Sequence, residues 1–262
     1  MRWRLLAGGI SGGGVVGPAG LCALLLLGCE AMPGRPNPAD RYVVPAQVTS
    51  FGALYRQSCA GCHGTDGRLG AARPLNDALY LALVPPDRLR EIIARGVPGG
   101  MQHAFAASAG GPLTDAQVDI LAREMRARWG RPGEFAAASL PSYSAPAGDG
   151  AADPQRGRQV FAAACAPCHG TEGTGGPKAG SVVDASYLAL VSDQALRTAV
   201  IAGRPDLGMP DWRGYISGRP LTAREVSDVV AWLVSQRRPP AGRPAAGMRP
   251  GHPQNIPSPH EG

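Results

Sequence analysis

The six residues Cys59-Ala60-Gly61-Cys62-His63-Gly64 return as Cys165-Ala166-Pro167-Cys168-His169-Gly170, 106 positions later. The likeness runs on well past them. Cys62–Gly67 reads CHGTDG and Cys168–Gly173 reads CHGTEG, and YLALV occurs at 80–84 and 187–191. Gly-x-Pro stands at Gly96–Pro98 and Gly203–Pro205, Gly-Met at Gly100-Met101 and Gly208-Met209, and Pro-Leu-Thr at 112–114 and 220–222. The offset drifts only from 106 to 108 across this span. A unit of about 85 residues is therefore written twice, and whatever one copy folds into, the other folds into as well.

Each copy reads as helical. Val48, Phe51 and Tyr55 recur at i, i+3, i+7 before the first Cys-x-x-Cys-His; Val160, Phe161 and Ala164 precede the second. Asp153-Pro154 offers an N-cap with proline in the first helical position. A middle helix carries Leu89, Ile92, Ile93 and Gly96 in one copy and Leu196, Ala199, Val200 and Gly203 in the other. The last helix of each copy opens on a capping box, Thr114-x-x-Gln117 and Thr222-x-x-Glu225. Behind these caps, Val118, Leu121, Ala122, Met125 and Trp129 repeat at helical spacing, as do Val226, Val229, Val230 and Leu233. No strand alternation is evident, so the expected fold is all-α, as two small helical domains. The apolar stripes are core positions.

Two thiols and an imidazole within five residues admit three uses: zinc, a redox disulfide, or a covalently attached haem. Zinc calls for four ligands at one point, whereas the pairs here lie far apart, each inside its own copy. Zinc also gives no reason for a histidine directly after each pair. A thioredoxin-like motif calls for a βαβ setting, and none is present. Haem accounts for every residue: both cysteines form thioethers to its vinyl groups and the adjacent histidine ligates the iron. It also supplies bulk to a core that a domain this small, in a chain only 5% aromatic, could barely build alone.

On these motifs each copy resembles a class I-type cytochrome c domain, and the chain resembles a tandem dihaem cytochrome c lipoprotein. The likeness covers about residues 48–130 and 153–237. It implies two covalently bound haem c groups, attached at Cys59 and Cys62 and at Cys165 and Cys168, with His63 and His169 as iron ligands. The family's later Gly-x-x-Met-Pro loop supplies the second ligand, which points to Met209 in Gly208-Met209-Pro210. The first copy departs from this loop, with Gln102 after Met101 and His103 two residues on; Met101 is the expected ligand and His103 the alternative. Iron filled on both sides changes oxidation state with little rearrangement. The expected function is that of a non-enzymatic carrier passing electrons one at a time in a membrane-associated periplasmic chain, respiratory or photosynthetic. The expected partners are redox proteins such as a quinol:cytochrome c oxidoreductase, a terminal oxidase or a dehydrogenase. The alternative is a cytochrome subunit of a periplasmic dehydrogenase, or a dihaem peroxidase-like enzyme, which would need an openable iron site and a distal acid–base group.

The flanks read as delivery. Arg2 and Arg4 precede an apolar run ending Leu26-Leu27-Gly28-Cys29, which reads as a signal peptide over 1–28 with a lipobox. Cys29 would then carry lipid and hold the protein on the periplasmic side of a bacterial membrane, with 29–47 as spacer. Cys22 leaves with the signal, so the remaining four cysteines are the two Cys-x-x-Cys pairs. Residues 131–152, rich in Pro, Gly, Ala and Ser, read as a linker, and 238–262 as a disordered Pro-rich tail. The net charge of +6 is scattered, with no basic run beyond Arg237-Arg238 and no aromatic interleaving, which excludes nucleic-acid binding.

Overall fold

Ten α-helices, three short 3₁₀ helices and no strands make up the regular structure of the described residues, which are 42–98, 100–135, 140–145 and 151–238 of a computed structural model. From Ala46 onward they belong to one compact unit that contains both copies of the repeat. Cys29, the signal peptide and most of the spacer and tail lie outside the described residues.

The first copy contains α1 (Phe51–Ser58), α2 (Ala60–His63), α3 (Ala78–Leu83), α4 (Pro86–Arg95) and α5 (Asp115–Trp129). The second contains α6 (Pro154–Ala164), α7 (Ala166–His169), α8 (Ala185–Leu190), α9 (Asp193–Ala202) and α10 (Ala223–Ser235). Both capping boxes form. The Gln117 amide donates to Thr114 Oγ1 at 3.2 Å while Thr114 N donates to Gln117 Oε1 at 2.9 Å. Glu225 and Thr222 make the same exchange at 3.2 and 2.8 Å. Asp153 caps α6 by accepting from the Gln155 amide at 2.8 Å, with Pro154 in the first turn. The stripes behind these caps are buried, with Val118, Leu121, Val226 and Val229 fully so.

Helices α3 and α8 are additional to the three expected in each copy. Six residues are too few for an apolar period to show, but each has a strong cap. Asp77 accepts from the Leu79 and Tyr80 amides, and Asp184 from those of Ser186 and Tyr187. The far ends are closed by arginines: Arg126 donates to the Leu81 and Val84 carbonyls, and Arg237 to those of Leu188 and Val191.

The first and last helices of each copy cross, and the two crossings are filled differently. In the first, Phe51, Tyr55 and Trp129 pack with ring centroids 5.2–5.6 Å apart. In the second, Gly157 brings α6 close against α10, and Phe161 packs on Trp232 at 4.3 Å. Between the copies, α3 lies against α9, and the Arg73 guanidinium donates to the Gly203 carbonyl at 3.0 Å. Part of the segment joining them is packed as well. Tyr143 is buried, and its carbonyl accepts from Gln194 at 2.8 Å and from the buried Arg197 at 3.1 Å.

Candidate haem-attachment sites

The attachment motif sits in the same local frame in both copies. Helix α1 ends at Ser58, and the chain re-enters a single helical turn, α2, that bears Cys62 and His63; α6 and α7 do the same for Cys168 and His169. Each turn stops at a glycine in the left-handed region, Gly64 at φ 80° and Gly170 at φ 78°. A side chain there would also collide with backbone, 1.7 Å from the Arg68 carbonyl oxygen at Gly64 and 2.3 Å from the Gly175 oxygen at Gly170. The histidine is thus the last residue of a turn with a fixed exit.

Each imidazole is then oriented by one backbone carbonyl. His63 Nδ1 donates to Arg73 O at 2.7 Å, and His169 Nδ1 to Gly180 O at 2.9 Å. A ring that donates through Nδ1 keeps its lone pair on Nε2, which is the arrangement an iron ligand requires. Burial lowers the pKa of His63, against the opposing pull of the Arg73 carbonyl and the Gln102 side chain, which favours the neutral ring. The accepting carbonyls belong to equivalent positions of the repeat, 107 residues apart, but only the first carries a side chain.

The cysteines are free thiols in both pairs. Burial, and then the neighbouring thiol, pushes Cys59 and Cys165 up to about 12. Among the described residues no group of three or more His, Cys, Asp or Glu side chains is placed to hold a metal ion. The two pairs do not converge on one point.

The surroundings fit a carboxylate-bearing haem. Arg73 Nη1 and Tyr215 Oη are buried without a hydrogen-bond partner, which protein interiors rarely tolerate. Both are donors; haem propionates are acceptors. The Arg73 guanidinium lies 5.4 Å from the Tyr80 ring centre and bonds Gly203 of the second copy. Burial raises the pKa of Tyr215, and the nearby Cys165 thiol raises it further. Neither residue belongs to a motif, so neither was legible in the sequence.

The two methionines are placed differently. Met209 is half-buried, and its backbone pairs both ways with Arg204 at 3.0 Å. Met101 is 73% exposed. His103 is also exposed, with its ring 4.8 Å from that of Phe105. The side chain that this loop turns toward His63 is Gln102.

Comparison with known proteins gives the same architecture. The model for the family described as cytochrome c oxidase, cbb3-type, subunit III matches residues 46–123 and 152–233. The cbb3-type cytochrome c oxidase subunit FixP of a Bradyrhizobium strain is 25% identical over 181 residues, 66% of this chain and 57% of that one. FixPc of Rhizobium leguminosarum is 28% identical over 173 residues, 64% and 55% of the two chains. A dihydro-heme d1 dehydrogenase of Pseudomonas aeruginosa is 37% identical over 102 residues, 39% of this chain and 17% of that enzyme. The chain thus spans little more than half the length of the FixP relatives and a small part of the dehydrogenase. Among solved structures, the reducing HAO-like protein complex of Kuenenia stuttgartiensis aligns over 76% of this chain with a TM-score of 0.43 and 15% identity. The family match covers more than half of the chain in two segments that coincide with the two copies of the repeat, and the chain belongs to the cbb3-type cytochrome c oxidase subunit III family of cytochrome c domains.

Proposed function

We propose that the protein is a dihaem c-type cytochrome that carries electrons one at a time between redox proteins at the periplasmic side of a bacterial membrane. The observation that carries this reading is the duplicated Cys-x-x-Cys-His turn, whose histidine is held through Nδ1 in both copies. In this reading Cys59 and Cys62 attach the first haem and Cys165 and Cys168 the second; His63 and His169 present Nε2 to the irons. Met209, on a loop fixed by its pairing with Arg204 and followed by the stiff Pro210, gives the second haem its other ligand. Met101 is the corresponding candidate from the sequence for the first haem, and its exposure is taken up below.

When bound, haem c supplies reversible one-electron iron chemistry, tuned by its axial ligands and the charges near it. The protein's part is to hold the site unchanged through that step. The Arg73 and Gly180 carbonyls fix each imidazole, the left-handed glycines fix the turn, and the buried donors on Arg73 and Tyr215 receive carboxylates.

The relatives' printed roles favour an oxidase or a dehydrogenase as partner; a quinol:cytochrome c oxidoreductase is a further candidate partner. Anchoring is assigned to lipid on Cys29, from the Leu26-Leu27-Gly28-Cys29 lipobox; among the described residues no helix is long and apolar enough to cross a membrane. Cys29→Ser is expected to release the protein from the membrane fraction; a variant that stays there refutes the anchor. The central test is stoichiometry. Mass spectrometry with a pyridine haemochrome assay should count two covalent haems, and the Cys165→Ala/Cys168→Ala variant should keep one. A protein with one haem or none overturns the proposal.

A further inference from the structure

The Gly-Met pairs of the two loops suggest that Met101 corresponds to Met209, at an offset of 108. The backbone gives a different register. Gly96 and Gly203 open the two loops in the same conformation, φ 71° with ψ −165° and φ 67° with ψ −165°. The residue after each glycine then donates across its loop: Val97 N to Gln102 O at 2.8 Å, and Arg204 N to Met209 O at 3.0 Å. Gly96 and Gly203, Val97 and Arg204, and the aromatic pair Phe105 and Trp212 that ends the loops are all 107 apart. The loops are equal in length, and the residue in the structural place of Met209 is Gln102. Met101 precedes it by one position and lies 73% exposed. The Gln102 side chain is the one close enough to the His63 ring to act on it, pulling its pKa up against the effect of burial.

We propose that Gln102 occupies the distal position of the first haem, leaving that iron without a strong sixth protein ligand and open to a small neutral π-acceptor ligand such as carbon monoxide. This inference rests on the dihaem reading. A carboxamide offers iron only a hard oxygen donor, whereas thioether is a soft ligand that suits the ferrous state. A carboxamide is therefore displaced easily, and its N–H can donate to a ligand that takes its place. Distal polarity and access of this kind distinguish a ligand-binding haem from a pure electron-transfer one. The second haem, closed by Met209, stays closed. Register explains the difference without any change of fold: one residue of slip between Met101 and Met209 exchanges a thioether for an amide.

The test is a carbon monoxide titration of the full dihaem protein, reduced anaerobically and followed in the Soret band. The oxidised protein is scanned in parallel for the weak red-edge absorbance of thioether-ligated haem. The expected result is one carbon monoxide bound per protein. Gln102→Met, which puts a thioether in register, should abolish binding and double the red-edge band; Met209→Ala should raise binding to two and remove the band. Met101→Ala and His103→Ala should leave both readouts unchanged. A wild-type protein that binds no carbon monoxide overturns the inference, as does a Met101→Ala variant that loses half the band or gains a binding site. A haem count below two would instead overturn the dihaem reading itself, so the two failures are told apart by the pyridine haemochrome assay.

Discussion

Replacing Gly157 by alanine sets two opposing effects against each other. Gly157 is buried in α6 where that helix crosses α10. A Cβ added there would lie 2.0 Å from the Asp228 carbonyl oxygen, 2.6 Å from its carbon and 2.9 Å from Trp232 Cβ. Two of these three atoms are backbone, so no rotamer change relieves the clash. The helices must move apart by about 1 Å or more to restore ordinary contact distances. Such overpacking costs about 1–3 kcal/mol, and rigid neighbours place this case in the upper part of that range. Against it stands alanine's helix propensity, about 1 kcal/mol better than glycine's. The net expectation is a loss of about 1–2 kcal/mol, or a fall in melting temperature of roughly 2–8 °C for a unit of this size. Gly52→Ala in α1 is the control. There the added Cβ would meet only Arg56 Nη1 at 3.3 Å and Ser50 Oγ at 4.0 Å, both on side chains free to move. It should be neutral or stabilising by up to about 1 kcal/mol. Guanidinium unfolding of the haem-loaded protein, followed by far-ultraviolet circular dichroism and the Soret band, reads both variants. A Gly157→Ala protein as stable as its parent, with Gly52→Ala no better, would refute the close-crossing argument.

Two other perturbations bear on charge. Burial alone would raise the pKa of Asp228, but hydrogen bonds from Arg156 Nε at 2.9 Å and the Asp153 amide at 2.7 Å bring it below the usual carboxylate range; Arg219 holds Glu225 down to about 2. Groups depressed in the folded state stabilise it above their unfolded pKa of about 4 and lose that contribution as pH falls through the folded value, so stability of the second copy should decline between pH 4 and 2, and Asp228→Asn should flatten part of that decline in a pH series of denaturant midpoints. Arg73→Gln removes a buried cation from the junction between the copies, which should lower the reduction potential of one haem in a spectroelectrochemical titration while the haem count stays at two; two unshifted potentials would refute the electrostatic role.

The parts of this fold that were legible in the sequence are those set by neighbours in the chain. The capping boxes at Thr114 and Thr222, the Asp153 cap and the apolar stripes behind them are local patterns, and they appear as expected. The attachment turns were legible for the same reason. What the sequence hid depends on residues far apart. Arg126 and Arg237 close equivalent helices α3 and α8, yet they stand 111 positions apart where the helices they close stand 107 apart, so alignment of the copies does not pair them. Arg73 shows its role only once Gly203 is beside it, 130 residues away. The distal loop shows a third kind of difficulty. The Gly-Met pairs suggest one register, while the chain's geometry is fixed by the flanking Gly96 and Gly203 and by the cross-loop hydrogen bonds.

The differences between the copies are concentrated where a haem site meets something beyond its own ligand turn. The turns are nearly superposable in their features: a left-handed glycine after the histidine, and a carbonyl on Nδ1. Around them, Phe51 stands where Gly157 does, Arg73 where Gly180 does, and Gln102 where Met209 does. Two identical haem sites would have equal potentials and give an electron no preferred resting place. A buried cation stabilises the reduced state of the nearer iron, and in a low-dielectric junction its effect is not screened as it would be at the surface. A thioether favours the ferrous state relative to a harder donor. Arg73 stands between the two sites: its carbonyl holds His63, and its guanidinium reaches Gly203, which opens the Met209 loop. In the proposed carrier the thioether on the second haem therefore makes it the better electron acceptor, and the first, with the weaker distal ligand, the donor to it.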